Sequence, residues 1–219
     1  MNCNKKDLLL YAVTDRSWTA GRTLYEQTEE ALKGGVTCLQ FREKNLKGAE
    51  LAEQAGQIQK LCARYRVPFI VNDNAQLAYA IDADGVHLGQ EDMSVPEARK
   101  LLGQHKIIGV SARTVDQALL AFEQGADYLG AGAVFANGTK KDTVPLSILQ
   151  LKEICSAVSI PCVAIGGISK NNIRQLSGSG ISGIAAISAI FAQTDIQKAA
   201  EELREEAEKI IWGSFSGNL

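Results

Sequence analysis

The sequence predicts a single-domain (β/α)8 barrel of the α/β class, the TIM barrel, over residues 1–219. Three observations carry this reading. Eight short apolar runs alternate with longer stretches of helical period. The 219 residues hold eight such units and little else. No linker, charge block or low-complexity segment divides them. The rival, an open doubly wound sheet, takes fewer parallel strands and a Gly-rich turn after the first, whereas here Val13 is followed by Thr14-Asp15-Arg16.

In chain order, the strand-like runs begin near Leu8, Val36, Pro68, Asp84, Lys106, Ala126, Pro161 and Ser182. Between the second and third runs, Leu51, Ala55, Ile58 and Cys62 recur at helical spacing. Val115, Ala118, Leu119 and Phe122 do so between the fifth and sixth, and Leu203, Ala207, Ile210 and Ile211 after the last. Gly34-Gly35, Gly125 and Gly180 stand where helices must stop before the next strand. Each strand is expected to alternate with a helix.

Composition narrows the function classes. With 46% hydrophobic and 22% charged residues the chain can bury a core, which excludes wholesale disorder. Its 23 basic and 25 acidic residues leave a net charge of −2, so no global field draws in nucleic acid or an acidic membrane, and any anion site must be local. No apolar run approaches the roughly 20 residues that span a bilayer, and Leu8 to Val13 is too short for a signal peptide, so a cytoplasmic protein is expected. The five cysteines, Cys3, Cys38, Cys62, Cys155 and Cys162, are scattered without a CxxC pair and read as reduced structural thiols. Gly178-Ser-Gly180-Ile-Ser-Gly183 spells GxGxxG but follows a helix and precedes a strand, the reverse of a pyrophosphate-binding turn.

The polar residues gather after the apolar runs. Arg42, Glu43 and Lys44 follow the second strand, Asn72 and Asp73 the third, and His87, Gln90 and Asp92 the fourth. Ser111 follows the fifth, Thr139 and Lys140 lie beyond the sixth, Gly166 and Gly167 follow the seventh, and Ser188 the eighth. In a barrel these positions converge on the C-terminal rim, where such folds place active sites. Asp73 and Asp92 end adjacent strands, so their carboxylates can hold one hard cation such as Mg2+ that also touches phosphate oxygens. Arg42, Lys44 and Lys140 add positive charge for an anion.

Gly166-Gly167 lets main-chain N–H groups approach a ligand, and Ser169 is expected to open a helix whose positive end faces the same place, with Ser188 beside it. That is a second phosphate site. Of the two histidines, His105 falls on the opposite rim, while His87 reads as either a ligand contact or a hydrogen-bonded structural residue. No Ser-His-Asp arrangement, nucleophile elbow or P-loop can be assembled.

At these residues the sequence resembles the thiamine phosphate synthase family, almost end to end from Tyr11-Ala-Val-Thr-Asp15 to Ser188-Ala-Ile190. The motifs are Gln40-Phe41-Arg42-Glu43-Lys44, Val71-Asn72-Asp73, Gly85-Val-His87-Leu-Gly-Gln90-Glu-Asp92, Gly109-Val-Ser111, Thr139-Lys140 and Ile165-Gly166-Gly167-Ile168. The resemblance implies a single catalytic domain that joins 4-amino-5-hydroxymethyl-2-methylpyrimidine diphosphate to 4-methyl-5-(2-hydroxyethyl)thiazole phosphate, releasing pyrophosphate. It implies that Arg42, Lys44, Asn72 and Lys140 hold the diphosphate, that Asp73 and Asp92 bind Mg2+, and that Gln40 and Ser111 contact the pyrimidine. Thr139, Gly167, Ile187 and Ser188 hold the thiazole phosphate, and Phe41, Glu43, Asn137, Gly138 and Gly166 line the substrates. Arg42, Lys44, Lys140 and Ser111 carry the catalytic roles.

The chain departs from the family pattern where Thr-x-Thr-Lys becomes Asn137-Gly138-Thr139-Lys140, where Ala133 replaces a frequent Pro, and in a short segment after Asp142. Its partners on this reading are the two small molecules, with neither nucleic acid nor membrane, and a homo-oligomer is compatible with it. Two alternatives remain. One is a thiazole tautomerase-like barrel, disfavoured because Arg113 rather than a histidine base is expected beside Ser111. The other is a barrel that binds a phosphorylated ligand without turnover.

Overall fold

The eight apolar runs form eight strands, each starting within two residues of its expected position: β1 (Leu10–Val13), β2 (Cys38–Phe41), β3 (Phe69–Asn72), β4 (Gly85–Leu88), β5 (Ile107–Ala112), β6 (Tyr128–Gly132), β7 (Cys162–Ile165) and β8 (Gly183–Ala186). In the computed structural model, which describes residues 3–19, 21–135 and 145–213, they pair in parallel and in sequence order. Pairing of β8 with β1 closes the barrel.

The strands read with a period of two, and the two sets of side chains build two different cores. Leu10, Ala12, Leu39, Phe41, Phe69, Val71, Val86 and Leu88 point outward into the layer beneath the helices. Tyr11, Val13, Cys38, Ile70, Ile107, Tyr128, Val163 and Ala185 fill the inside. A 3₁₀ turn at Lys5–Leu8 closes the lower end of the barrel by adding Leu8 and Cys3 to the inner set.

The helices are α1 (Leu24–Lys33), α2 (Gly48–Tyr65), α3 (Ala75–Ala80), α4 (Val95–Leu102), α5 (Val115–Glu123), α6 (Ile148–Ala157), α7 (Ser188–Phe191) and α8 (Ile196–Ile211). Local chemistry starts them: Thr23 with Glu26, Ser94 with Glu97 and Ser147 with Gln150 form reciprocal capping boxes on α1, α4 and α6. At the end of α1 the two glycines act differently. Gly35 adopts a φ of 87° and turns the chain, whereas a Cβ on Gly34 would lie 2.3 Å from the Gln197 carbonyl oxygen of α8.

Two expectations are corrected. The seventh connection carries a 3₁₀ turn at Ile173–Leu176 instead of an α-helix opening at Ser169. There the Asn172 side chain accepts from Ser169 N at 2.8 Å and donates to Gly167 O at 2.8 Å, folding the segment onto itself. The small helix α7 follows β8 instead. In α5, Ala118 and Ala121 face the barrel while Leu119 and Phe122 are exposed, because small residues let the helix lie close to the strands. No helix among the described residues is long and apolar enough to cross a membrane. All five cysteines are free thiols, and burial pushes Cys3 and Cys62 up to about 12, outside the range of a reactive thiolate.

Candidate active site

Parallel register carries the polar ends of neighbouring strands to one rim. At the first two strand ends the fully buried Thr14 ties the loops together: Thr14 N donates to Gln40 O at 2.9 Å, and its hydroxyl accepts from Arg42 N at 2.9 Å. Arg42 then reaches Asp15, Nη1 to Oδ2 at 3.2 Å. Burial alone would raise the Asp15 carboxyl, but hydrogen bonds from Ser17 and the Arg42 guanidinium outweigh it and hold Asp15 below its usual value.

Glu43, expected to line the substrates, is also tied into the protein. Its side chain is 1% exposed and accepts from Arg16 Nε at 2.7 Å and from Asn45 N at 2.7 Å. Burial pushes Glu43 up, yet these donors hold it below its usual value. It shapes the loop that carries Lys44, which is exposed. The expectation for Phe41 is corrected: strand alternation turns its ring outward, where it packs on Phe69 with centroids 6.0 Å apart, while Gln40 takes the inward position. A depression of about 230 Å³ lies among Asp15, Arg16, Ser17, Arg42, Glu43, Lys44 and Asn45.

The ends of β3 and β4 bring two carboxylates together. Asp73 has a φ of 62° and donates its N–H to His87 O at 2.8 Å. Asn72 Nδ2 donates to Asp73 Oδ2 at 2.5 Å. Asp92 folds back to accept from Gly89 N at 2.6 Å. Partial burial raises the Asp73 carboxyl above its usual value, and Asp92 raises it further by its charge and a shared hydrogen bond, while Asn72 and Arg42 oppose this. Two facing acids in that state fit a divalent cation. A pair of carboxylates also leaves most positions of a hard ion such as Mg2+ to phosphate oxygens and water.

Behind the rim, two tyrosines that sequence reasoning missed join Gln40, His87 and Ser111 into a row. Gln40 Nε2 donates to Tyr11 Oη at 3.0 Å, and the Tyr11 and Tyr128 hydroxyls are 2.8 Å apart. Tyr128 Oη lies 2.9 Å from His87 Nδ1, and His87 Nε2 lies 3.0 Å from Ser111 Oγ. The clue in the sequence was two tyrosines at inward strand positions. A histidine therefore does stand beside Ser111, contrary to expectation, because β4 and β5 are neighbours in the barrel. Burial pushes its pKa down to about 4 and both ring nitrogens are engaged, so it is poorly suited to take a proton. Arg113 instead reaches Gly132 O at 3.3 Å.

At β7 and β8 the main chain dominates. Gly166 and Gly167 have φ values of 104° and 63°, and a Cβ on Gly166 would lie 2.4 Å from that of Ala133. Ile187 is half-buried against the inner core and Ser188 is exposed at the start of α7. Asn137, Gly138, Thr139 and Lys140 lie outside the described residues.

The sequence pattern described as thiamine monophosphate synthase matches residues 10–190. The chain belongs to the thiamine monophosphate synthase family. It is 44% identical over 207 residues to the thiamine-phosphate synthase of Clostridium botulinum (strain Eklund 17B / Type B), covering 94% of this chain and 97% of that one. It is 47% identical over 203 residues to that of Clostridium tetani, covering 93% and 97%. Among solved structures it is similar to a thiamine phosphate pyrophosphorylase from Pyrococcus furiosus, with a TM-score of 0.86 and 40% identity over 94% of this chain and 98% of that one.

Proposed function

We propose that the rim divides the two substrates of the family reaction between its halves. The chain is a transferase that joins 4-amino-5-hydroxymethyl-2-methylpyrimidine diphosphate to 4-methyl-5-(2-hydroxyethyl)thiazole phosphate, giving thiamine phosphate and pyrophosphate. The observation that carries the assignment of the halves is the facing pair Asp73 and Asp92 with Arg42 close by, a site for a metal-bound diphosphate. Asp73 and Asp92 would hold Mg2+, which supplies positive charge to the oxygens of the departing diphosphate.

Arg42, Lys44, Asn72 and Lys140 bind and orient that diphosphate, and Gln40 and Ser111 hold the pyrimidine ring. The electron-rich aminopyrimidine supports a cation at its methylene as the C–O bond breaks, so displacement is dissociative. Catalysis therefore consists mainly of stabilising the leaving charge and keeping the thiazole nitrogen in line. That nitrogen attacks with its lone pair and has no proton to lose. Gly166, Gly167, Ile187 and Ser188, with Thr139, Asn137 and Gly138 from the sequence after β6, hold the thiazole phosphate through main-chain and hydroxyl donors. The chain works on this reading as one catalytic domain in the cytoplasm, alone or as a homo-oligomer, without nucleic acid or membrane.

The test mixes both substrates with the protein and follows pyrophosphate release with and without Mg2+. Release that needs both substrates and the metal is the expected result. Binding without turnover would leave a ligand-binding barrel, and turnover indifferent to chelation would remove the metal from Asp73 and Asp92.

A further inference from the structure

We propose that Tyr11, Tyr128 and His87 are positioning residues, a relay inside the barrel that turns the Ser111 hydroxyl proton and the Gln40 carbonyl oxygen toward the pyrimidine. The inference rests on the assignment of that ring to Gln40 and Ser111, and it follows from counting protons. Four contacts link Gln40 on β2 to Ser111 on β5 through the three residues, at 3.0, 2.8, 2.9 and 3.0 Å. Gln40 Nε2 is a donor, so Tyr11 Oη must accept there. The other three contacts can run in either direction, subject to one ring proton on a neutral imidazole and one on each hydroxyl.

In one direction, Tyr11 donates to Tyr128, Tyr128 donates to His87 Nδ1, and His87 Nε2–H donates to Ser111 Oγ. Each hydroxyl and ring proton inside the barrel then has an acceptor, and the one left over is the Ser111 hydroxyl proton, at the half-buried end of the row. In the other direction, Ser111 donates to His87, His87 to Tyr128, and Tyr128 to Tyr11. The Tyr11 oxygen then accepts twice, and its own proton has no acceptor among the described residues although Tyr11 is 2% exposed. A buried donor left unpaired is costly, so the first direction holds.

The neighbouring strands are built to keep the rings in place. A Cβ on Gly109 would lie 2.1 Å from Tyr128 Cζ, and one on Gly130 would lie 2.9 Å from His87 Cε1. Gly109 pairs in register with both His87 and Tyr128, and Gly130 with Ser111. The floor of the site thus presents one fixed acceptor, Gln40 Oε1, and one fixed donor, the Ser111 hydroxyl. A 4-aminopyrimidine offers the complement, an amino donor and a ring-nitrogen acceptor. A 4-oxo analogue offers an acceptor where Gln40 needs a donor.

The experiment compares wild type, Tyr128→Phe, Ser111→Ala and the double variant in steady-state assays with each substrate varied. Tyr128→Phe is expected to raise KM for the pyrimidine diphosphate about tenfold, the effect of one oriented hydrogen bond, with KM for the thiazole phosphate unchanged. The double variant is expected to be no worse than Ser111→Ala alone, because Tyr128 acts through Ser111. Unchanged pyrimidine KM in Tyr128→Phe, an equal rise for both substrates, or additive losses in the double variant would overturn the relay. Should wild type turn over neither substrate, calorimetric binding of 4-amino-5-hydroxymethyl-2-methylpyrimidine itself decides separately: about tenfold weaker binding to Tyr128→Phe supports the relay, and equal binding overturns it.

Discussion

The acids at the ends of β1 and β2 and those at the ends of β3 and β4 occupy the same rim but live in opposite electrostatic conditions. Asp15 and Glu43 each have an arginine partner and main-chain donors, and both are held below their usual values. Asp73 faces another acid, Asp92, and is raised. Paired acids hold a loop in shape. Opposed acids repel, and a cation between them would relieve that repulsion, so on the proposed reading the difference separates scaffold from site.

Breaking the opposed pair should have the largest effect. Asp73→Asn and Asp92→Asn are each expected to lower turnover at least tenfold in a pyrophosphate-release assay with Mg2+ titrated, since each removes charge that would hold the cation. Full activity in both would erase the distinction between the two pairs. Breaking the paired side should cost stability instead. Glu43→Gln weakens a partly buried ion pair, with an expected loss of about 1 kcal/mol and a fall in Tm of about 3 °C by calorimetry, and turnover should stay within about tenfold.

A smaller effect of opposite sign sharpens the comparison. Without metal, Asp73→Asn is expected to raise Tm by about 2 °C at neutral pH, because it relieves the repulsion from Asp92 while Asn tolerates the left-handed backbone. A lower Tm would show that Asp73 holds structure. Acid should reveal the smallest difference. Glu43 has a depressed folded pKa, so its stabilisation is present above the usual carboxylate value and is lost as pH falls through the folded one. Asp73 runs the other way: its raised pKa gives a contribution present below the usual value and lost as pH rises through the folded one. Tm measured from pH 6 to pH 3 should fall less steeply in Glu43→Gln and more steeply in Asp73→Asn than in wild type.

Much of this is legible in the sequence. The strand count, the strand starts, and the gathering of Arg42, Asp73, Asp92 and Ser111 on one rim all follow from short-range pattern, because a strand's period and a helix's caps are set by residues a few positions apart. Family membership was legible too, since motifs at those strand ends carried it. Other features were not. The family motif points Phe41 toward substrate, but strand parity with Gln40 turns it outward. The sequence predicts a helix opening at Ser169, which Asn172 replaces with a local hydrogen-bonded turn.

By itself the sequence determined the barrel class, its eight units, and which residue types end each strand, since these depend on local spacing and on what an apolar run must do in water. Tertiary structure alone decided partners. That Glu43 meets Arg16, that Gly166 makes room for Ala133, and that His87 stands between Tyr128 and Ser111 depends on closure of the barrel and on strand register. The reason is physical: a contact between residues 24 or 41 positions apart is set by how strands pair across the sheet, and the preferences of neighbouring residues carry no record of it.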